Sequence, residues 1–562
     1  MGTNSETKRI GDISLDYSKY KGKDIYSDGN IEDDLLEICK LGKEKETLLN
    51  NNKWPILYHL SDIRENVIDW YTFKKDAEVL EIGSGCGSIT GVLSKKSKTV
   101  TCIELSERRS MINAYRHKNC NNVTIKLGNF QDIEPDLGKY DYITLIGVLE
   151  YSKLYIKSDK PYLEMLLIAK KHLKKDGKLI IAIENKMGIK YLNGAPEDHT
   201  GLLYSGINDY IYDDSVRTFS KEELKQMLID SGYEEASFYY PIPDYKLPSI
   251  IYSSENQPSP GQIRTYKKNY QKTRIYNFME DVFTDQLCND GMYGYMSNSF
   301  VIIAGETSDN SIVSAKYNRE RLEKFRIATV IENTEEGKRA RKKALNSLAQ
   351  NHIRAMAENA KIFSGNLRNI ICVNGFLSND EYISDYIEGK SLEETLYSYR
   401  NSPDLFITQV KKYIDEYLIP DSKQLIKFVK TDEFINVFGD NDIKDTLSMK
   451  VSNVDIIFSN LKEGLDGKIY AFDFEWVYTF PIPYRYLLWR PANEAYYTYQ
   501  AYLKTKININ QYFMQLGFEK EEIKIFQNME KNFGFYVAGN NWVEEYTKNY
   551  VKPAIMFETK YC

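Results

Sequence analysis

The hydrophobic pattern changes rhythm several times along this chain. Ile31–Cys39 and Tyr58–Trp70 carry apolar residues at helical spacing, so residues 1–75 are expected to form a mostly helical preface. Ser27-Asp28-Gly29 reads as the turn before the first of these helices. From Ala77 the rhythm shortens. Val79–Ile82, Val100–Ile103, Val123–Leu127, Tyr142–Ile146 and Lys178–Ile183 are short apolar or β-branched runs, most of them separated by helical stretches. Strands alternating with helices predict a parallel sheet covered on both faces. Ser237–Pro241 and Ser299–Ala304 are read as its last two strands. The segment between them holds Pro243, Pro248, Pro258 and Pro260 and is read as a long insertion over the site the sheet builds.

Thr307–Ser311 is a polar break, and a domain boundary is placed there. A second pattern follows. Phe325–Ile331 and Lys338–Ala344 predict a hairpin across Asn333–Gly337, and Asn346–Ile362 a helix. Glu381–Ile387 and Lys468–Phe474 predict strands, and the chain from Ala492 onward a mainly helical tail. The expected organisation is therefore a preface (1–75), an α/β domain (76–306) and an α+β domain (312–562).

Length agrees with this division, since 562 residues exceed what one ordinary core serves. Hydrophobic residues at 42% and charged residues at 27% place the chain among globular proteins. A formal net charge of -6 argues against a partner held mainly through nucleic-acid phosphates. Met1–Ile10 is too polar for a secretory signal, and no apolar run approaches bilayer-spanning length. Cys39, Cys86, Cys102, Cys120, Cys288, Cys372 and Cys562 are scattered without metal-ligand spacing, which reads as reduced thiols and a cytoplasmic location.

Val79–Gly87 (Val-Leu-Glu-Ile-Gly-Ser-Gly-Cys-Gly) is a strand running into a glycine turn. Glycines are needed where a backbone turns sharply and approaches a ligand closely. The spacing G-x-G-x-G differs from the G-x-G-x-x-G of dinucleotide binders. Glu104 ends the next strand, Asn129-Phe130 follow the third, and Gly147–Tyr151 lie at the ligand-binding end of the fourth. This ordered set resembles the class I S-adenosylmethionine (SAM) dependent methyltransferases, a Rossmann-like fold, over roughly residues 50–305. The resemblance implies that Glu81, Gly83, Ser84, Gly85 and Gly87 hold the methionine part of SAM. It also implies Glu104 on the ribose, Asn129 and Phe130 on the adenine, and Gly147 at the strand end beside the cofactor. His199, in Glu197-Asp198-His199-Thr200, is a candidate catalytic base, with a surface or core histidine as the equal alternative. Glu150 and Glu184 either bind a cationic acceptor or are solvated.

Asp455-Ile-Ile-Phe-Ser-Asn460 has the D-x-x-x-x-N spacing of a kinase catalytic loop, and Asp473-Phe474-Glu475 stands where D-F-G would. Arg339–Lys342 reads as the strand whose lysine touches nucleotide phosphates, with Lys343 as an equally charged neighbour. The order resembles the aminoglycoside phosphotransferase and choline kinase group, a protein-kinase-like fold, over roughly residues 312–562. By that resemblance Asp455 is the catalytic aspartate, Asn460 and Asp473 ligate Mg2+, and Lys342 binds ATP phosphates. Three departures stand out: no glycine-rich phosphate loop, Asn453 in place of a histidine, and no early glutamate in the helix after Lys342, with Glu358 a distant candidate for its partner.

Together the two halves resemble the bifunctional methyltransferase–kinases of bacterial surface glycan synthesis. That implies a glycan or its small-molecule precursor as acceptor. A small amino alcohol or hydroxy amino acid such as threonine, phosphorylated and N-methylated for flagellar or surface glycan decoration, is one alternative. A methyltransferase with an inactive kinase-like acceptor-binding module is another.

Overall fold

The computed structural model describes residues 7–24, 27, 29–263, 269–270, 273–367, 369–539 and 549–556. Met1–Glu6, Asp28 and Cys562 lie outside the described residues. The parallel sheet is built from β3 (Glu78–Ile82), β4 (Thr99–Glu104), β5 (Val123–Leu127), β6 (Tyr140–Ile146) and β7 (Leu173–Glu184). Alternate residues leave each strand for opposite faces, as strand geometry requires. Val79 packs into one core with Val100 and Cys102, while Leu80 and Ile82 join Ile103, Ile143 and Leu145 in the other. Both faces are apolar because both are covered.

The preface contributes α1 (Ile31–Leu41), α2 (Glu44–Asn50) and α3 (Trp54–Leu60). It also contributes a hairpin the sequence pattern did not suggest, β1 (Thr7–Ile10) and β2 (Ile13–Asp16), which extends the sheet parallel to β5. Helix α4 (Thr90–Lys96) follows the glycine turn, α5 (Glu107–Arg116) follows β4, and α6 (Phe130–Ile133) follows β5.

The insertion after β8 (Glu235–Ile242) contains β9 (Ile250–Ser253) and β10 (Arg274–Tyr276), and is followed by β11 (Ser299–Gly305). Strand β11 lies antiparallel between β7 and β8. Beyond the polar break come β12 (Ile312–Tyr317), β13 (Ile327–Thr334), β14 (Gly337–Ala344), β15 (Ile370–Cys372), β16 (Gly375–Ser378) and β17 (Glu381–Asp385). The predicted hairpin is β13–β14.

The sheet does not stop at the polar break. Strand β9 pairs with β8 on one side and β12 on the other, so fifteen strands run in the order β1-β2-β5-β4-β3-β6-β7-β11-β8-β9-β12-β13-β14-β17-β16. One core face continues with it, from Ile13 and Leu15 through Ile251 to Ala328 and Val330. The strands from β2 to β7 pair in parallel, and β1 and the strands from β11 onward pair antiparallel. A separate core rich in aromatics, including Trp476, Trp489 and Phe533, packs the helical tail against the segments from Phe325 onward. Among the described residues no helix is long and apolar enough to cross a membrane.

Candidate functional site

A cavity of about 520 Å³ opens at the C-terminal ends of the parallel strands. This is where open parallel sheets bind ligands. Its floor is the turn after β3. Gly83, Gly85 and Gly87 all have left-handed φ, at 72°, 53° and 77°. Their surroundings differ. A Cβ on Gly83 would meet Val148 Cγ2 at 2.5 Å, and one on Gly87 would meet Asn113 Oδ1 at 2.3 Å, whereas one on Gly85 would stand in open space. Gly85 is therefore the turn residue whose bare face is turned to the cavity, and Gly87 lets the chain pack on α5.

Glu104 is buried, and its carboxylate accepts hydrogen bonds from Gly85 N at 2.7 Å and Ser106 N at 3.0 Å. Burial raises its pKa above the ordinary range, opposed by Arg109 and these backbone donors. The carboxylate is thus fixed by main chain on both sides and lines the cavity. Glu81 also lines it, but accepts from Thr90 Oγ1 at 2.7 Å and from the Cys102 thiol at 3.3 Å. Burial pushes its carboxyl up to about 7.

Ser84, Phe130 and Gly147 line the cavity as well. Asn129 is placed differently. Its Oδ1 caps α6 by accepting from Gln131 N, and its Nδ2 donates to Tyr155 O, so its side chain shapes the adjoining loop and is not among the cavity-lining groups.

The far end of the cavity is polar and enclosed. His199 Nδ1 lies 2.9 Å from Glu197 Oε1, its Nε2 lies 3.8 Å from Glu150 Oε1, and its ring stands edge-on to Tyr151. Burial works against a charged imidazole, but Glu150 and Glu197 outweigh it and hold the His199 pKa well above its ordinary value. Lys246 pairs with Glu184 and, at 2.9 Å, with Asp198.

Tyr245 and Lys246, from the insertion, close this end, and the preface supplies Trp54, Tyr58 and Arg64. Arg64 holds the insertion in place through Lys246 O, and Asn66 does so through Pro248 O. None of these lining residues was singled out as a site residue from sequence. The available signal was weak: a short apolar run, Ile250–Tyr252, hidden between Pro248 and Pro258.

The second constellation also assembles. Strand alternation on β14 sends Lys342 and Lys343 to opposite faces: Lys343 pairs with Asp69 of the preface at 2.9 Å, and Lys342 with Asp473 at 2.7 Å. Lys342 also reaches Glu475 at 2.9 Å, so its glutamate partner comes from the segment after Asp473 and not from Glu358. Glu475 is further held by Arg321 and by His352 from the helix Gln350–Phe363. Burial opposes ionisation of Glu475, but Arg321, Lys342 and His352 hold its carboxyl well below the usual range.

Asn453 donates to Asp473 O at 2.7 Å and accepts from Asp455 N at 2.9 Å, tying the two aspartate segments together. Asn460 Nδ2 donates to Asp455 O at 3.0 Å. Asp455 itself sits 3.2 Å from Arg490, and burial pushes its carboxyl up to about 7 against that arginine.

A methyltransferase-domain family model matches residues 58–237. Ribosomal RNA small subunit methyltransferase A of Syntrophus aciditrophicus (strain SB) is 27% identical over 100 residues, covering 18% of this chain. The matched stretch spans 33% of that relative's length. Among solved structures, a SAM-dependent methyltransferase from Archaeoglobus fulgidus aligns at 15% identity and TM-score 0.27, covering 44% of this chain and 93% of that one. Haemonchus contortus phosphoethanolamine N-methyltransferase 1 aligns at 14% identity and TM-score 0.27, covering 50% of each chain. Residues 58–237 are thus similar to a methyltransferase domain, and they hold the parallel strands β5-β4-β3-β6-β7 of a Rossmann-like α/β sheet.

Proposed function

We propose that this chain binds SAM in the cavity above the glycine turn and methylates an acceptor held at its far end. The observation that carries this reading is Glu104, a buried carboxylate locked by Gly85 N and Ser106 N at the edge of an open cavity. Such a group has lone pairs to spare for two ribose hydroxyls. On this reading Gly83–Gly85 would hold the sulfonium end, Phe130 would flank the adenine, and Glu150, His199 and Tyr245 would line the acceptor end. Methyl transfer is an in-line displacement, so the protein's part is alignment and exclusion of water. The acceptor class in this reading is a glycan or its small-molecule precursor, with an amino alcohol or hydroxy amino acid as the alternative. Glu104→Ala is expected to weaken SAM binding by roughly 2–4 kcal/mol, two charge-assisted hydrogen bonds partly compensated. Titration calorimetry checks this; a folded wild type that binds no SAM sinks the reading.

A second reading is favoured by one observation: Lys342, Asp473 and Asp455, far apart in sequence, gather around one buried charge cluster. In this reading the second half binds ATP and Mg2+ and phosphorylates the same acceptor, with Asp455 at the attacking hydroxyl and Asn460 and Asp473 on the metal. The fit of the residues is mixed. Asp473 offers a partly exposed carboxylate that Lys342 already holds at 2.7 Å, while Asn460, whose Nδ2 donates to Asp455 O, keeps its Oδ1 for a metal. Asp473→Asn is expected to abolish Mg2+-dependent nucleotide binding. If millimolar ATP-Mg2+ leaves the wild-type melting temperature unchanged, the half is an acceptor-binding module without phosphoryl transfer.

A further inference from the structure

Among the described residues, the acidic groups around the far end of the cavity outnumber the cations they face. Glu150, Glu184, Glu197, Asp198 and Asp244 face Lys190, Lys246 and His199. The imbalance is concentrated at Glu150. Its side chain is almost fully buried, neither carboxylate oxygen has a hydrogen-bond partner among the described residues, and it lines the cavity. A buried carboxylate that accepts no hydrogen bond and meets only the His199 ring, at 3.8 Å, is costly to ionise, so it calls for a further cation.

We propose that Glu150, Glu184 and His199 form a divalent-cation site at the acceptor end of this cavity. One carboxylate oxygen of each glutamate and a ring nitrogen of the histidine lie within 4.8 Å of one another, a spacing that a single ion can bridge. The outer shell is already in place. Glu197 Oε1 accepts from His199 Nδ1 at 2.9 Å, and Glu197 is itself fixed by the backbone N–H groups of His199 and Thr200. A carboxylate on the remote nitrogen is the usual way a protein aims the other imidazole nitrogen at a metal.

Lys246 is the competing cation, since it pairs with Glu184; its second partner, Asp198, can retain it when Glu184 turns to the ion. Two carboxylates and one imidazole suit Mn2+ or a similar first-row divalent ion with open positions for oxygen ligands. On the methyltransferase reading, those positions would take a hydroxyl or phosphate oxygen of the acceptor. The site itself does not depend on that reading.

The test is electron paramagnetic resonance of the full-length, metal-stripped protein titrated with Mn2+, reading the nitrogen coupling of a directly bound imidazole. The coupling is expected in the wild type and in Asp473→Asn, and lost in His199→Gln. Glu197→Gln should weaken the nitrogen-coupled site by about tenfold or more. Glu150→Gln and Glu184→Gln serve as second variants, each expected to lower Mn2+ affinity, with circular dichroism confirming the fold. A wild type without nitrogen-coupled Mn2+ at millimolar concentration overturns the proposal, as does coupling that survives in His199→Gln. Binding of an alkylammonium probe in place of Mn2+, lost in Glu150→Gln, also overturns it and assigns the pocket to a cationic acceptor. A protein that coordinates Mn2+ here but binds no SAM refutes the methyltransferase reading and leaves the cation site standing.

Discussion

At the end of β4 the Glu104 carboxylate is held by two backbone N–H groups and looks into an open cavity, whereas on β14 the Lys342 ammonium is covered by Asp473 and Glu475. Main-chain donors fix a carboxylate without neutralising it, so a ligand meets a preorganised acceptor. Opposed side chains neutralise each other, so a ligand there must first compete for its partners. The first arrangement favours binding with little rearrangement, and the second favours stability until a nucleotide or metal arrives to exchange contacts.

The largest expected effect breaks the second arrangement. Lys342→Met leaves Glu475 buried with only Arg321 and His352, and frees Asp473 of its ammonium. Removing one partner from a buried ion pair costs about 3–5 kcal/mol. Urea unfolding should show a loss of that size, partly restored in the double variant Lys342→Met/Glu475→Gln. A loss below 1 kcal/mol would mean that the cluster is solvated and the contrast with Glu104 is false.

A smaller effect concerns pH and sharpens the first arrangement. Burial holds the Glu81 carboxyl up at about 7, against an ordinary value of 4.5. Between those values the folded chain keeps a proton that the unfolded chain releases. The stability this gives is full below pH 4.5 and is lost as the pH rises through about 7, amounting to roughly 3 kcal/mol. Glu81→Gln carries no such proton, so its melting temperature should fall less than the wild type's between pH 5 and 8. Asp455 titrates in the same direction in both proteins, so the difference reads Glu81 together with its coupling to Glu104. Parallel slopes would rule the assignment out.

The sequence made the two halves legible to different depths for physical reasons. Glycine turns and strand ends are local, so their order and spacing carried the resemblance that singled out Gly83, Ser84, Gly85, Glu104 and Gly147, and these residues line one cavity. The Lys342 partnership is non-local, spanning 131 residues, and no pattern on either segment points to Glu475. The same holds for the join between halves. Strand β9 is four residues long and flanked by prolines, so nothing in its period announces that it bridges β8 and β12. Asn129 shows the opposite hazard, a well-placed residue type whose polar atoms are used in capping α6 and holding Tyr155.

The smallest expected effect separates two glycines that the sequence treats alike. Gly85 and Gly87 both have left-handed φ, so alanine at either costs about 1 kcal/mol in backbone strain. Beyond that they part. At Gly87 the new Cβ stands 2.3 Å from Asn113 Oδ1 and 3.1 Å from Asn113 Cα. Asn113 donates to Thr90 Oγ1, which donates to Glu81, so the push travels under the turn. Gly87→Ala should therefore cost about 1 kcal/mol more than strain alone, within the range for overpacking a buried site. At Gly85 the Cβ meets nothing within 4 Å and instead occupies cavity space. Gly85→Ala should keep most of its stability yet lose SAM affinity by about tenfold or more. Thermal unfolding and calorimetry on the two variants read the difference directly. If Gly85→Ala binds SAM as the wild type does, the bare face of that glycine is not where the cofactor lies, and the placement of the sulfonium over the turn must be given up.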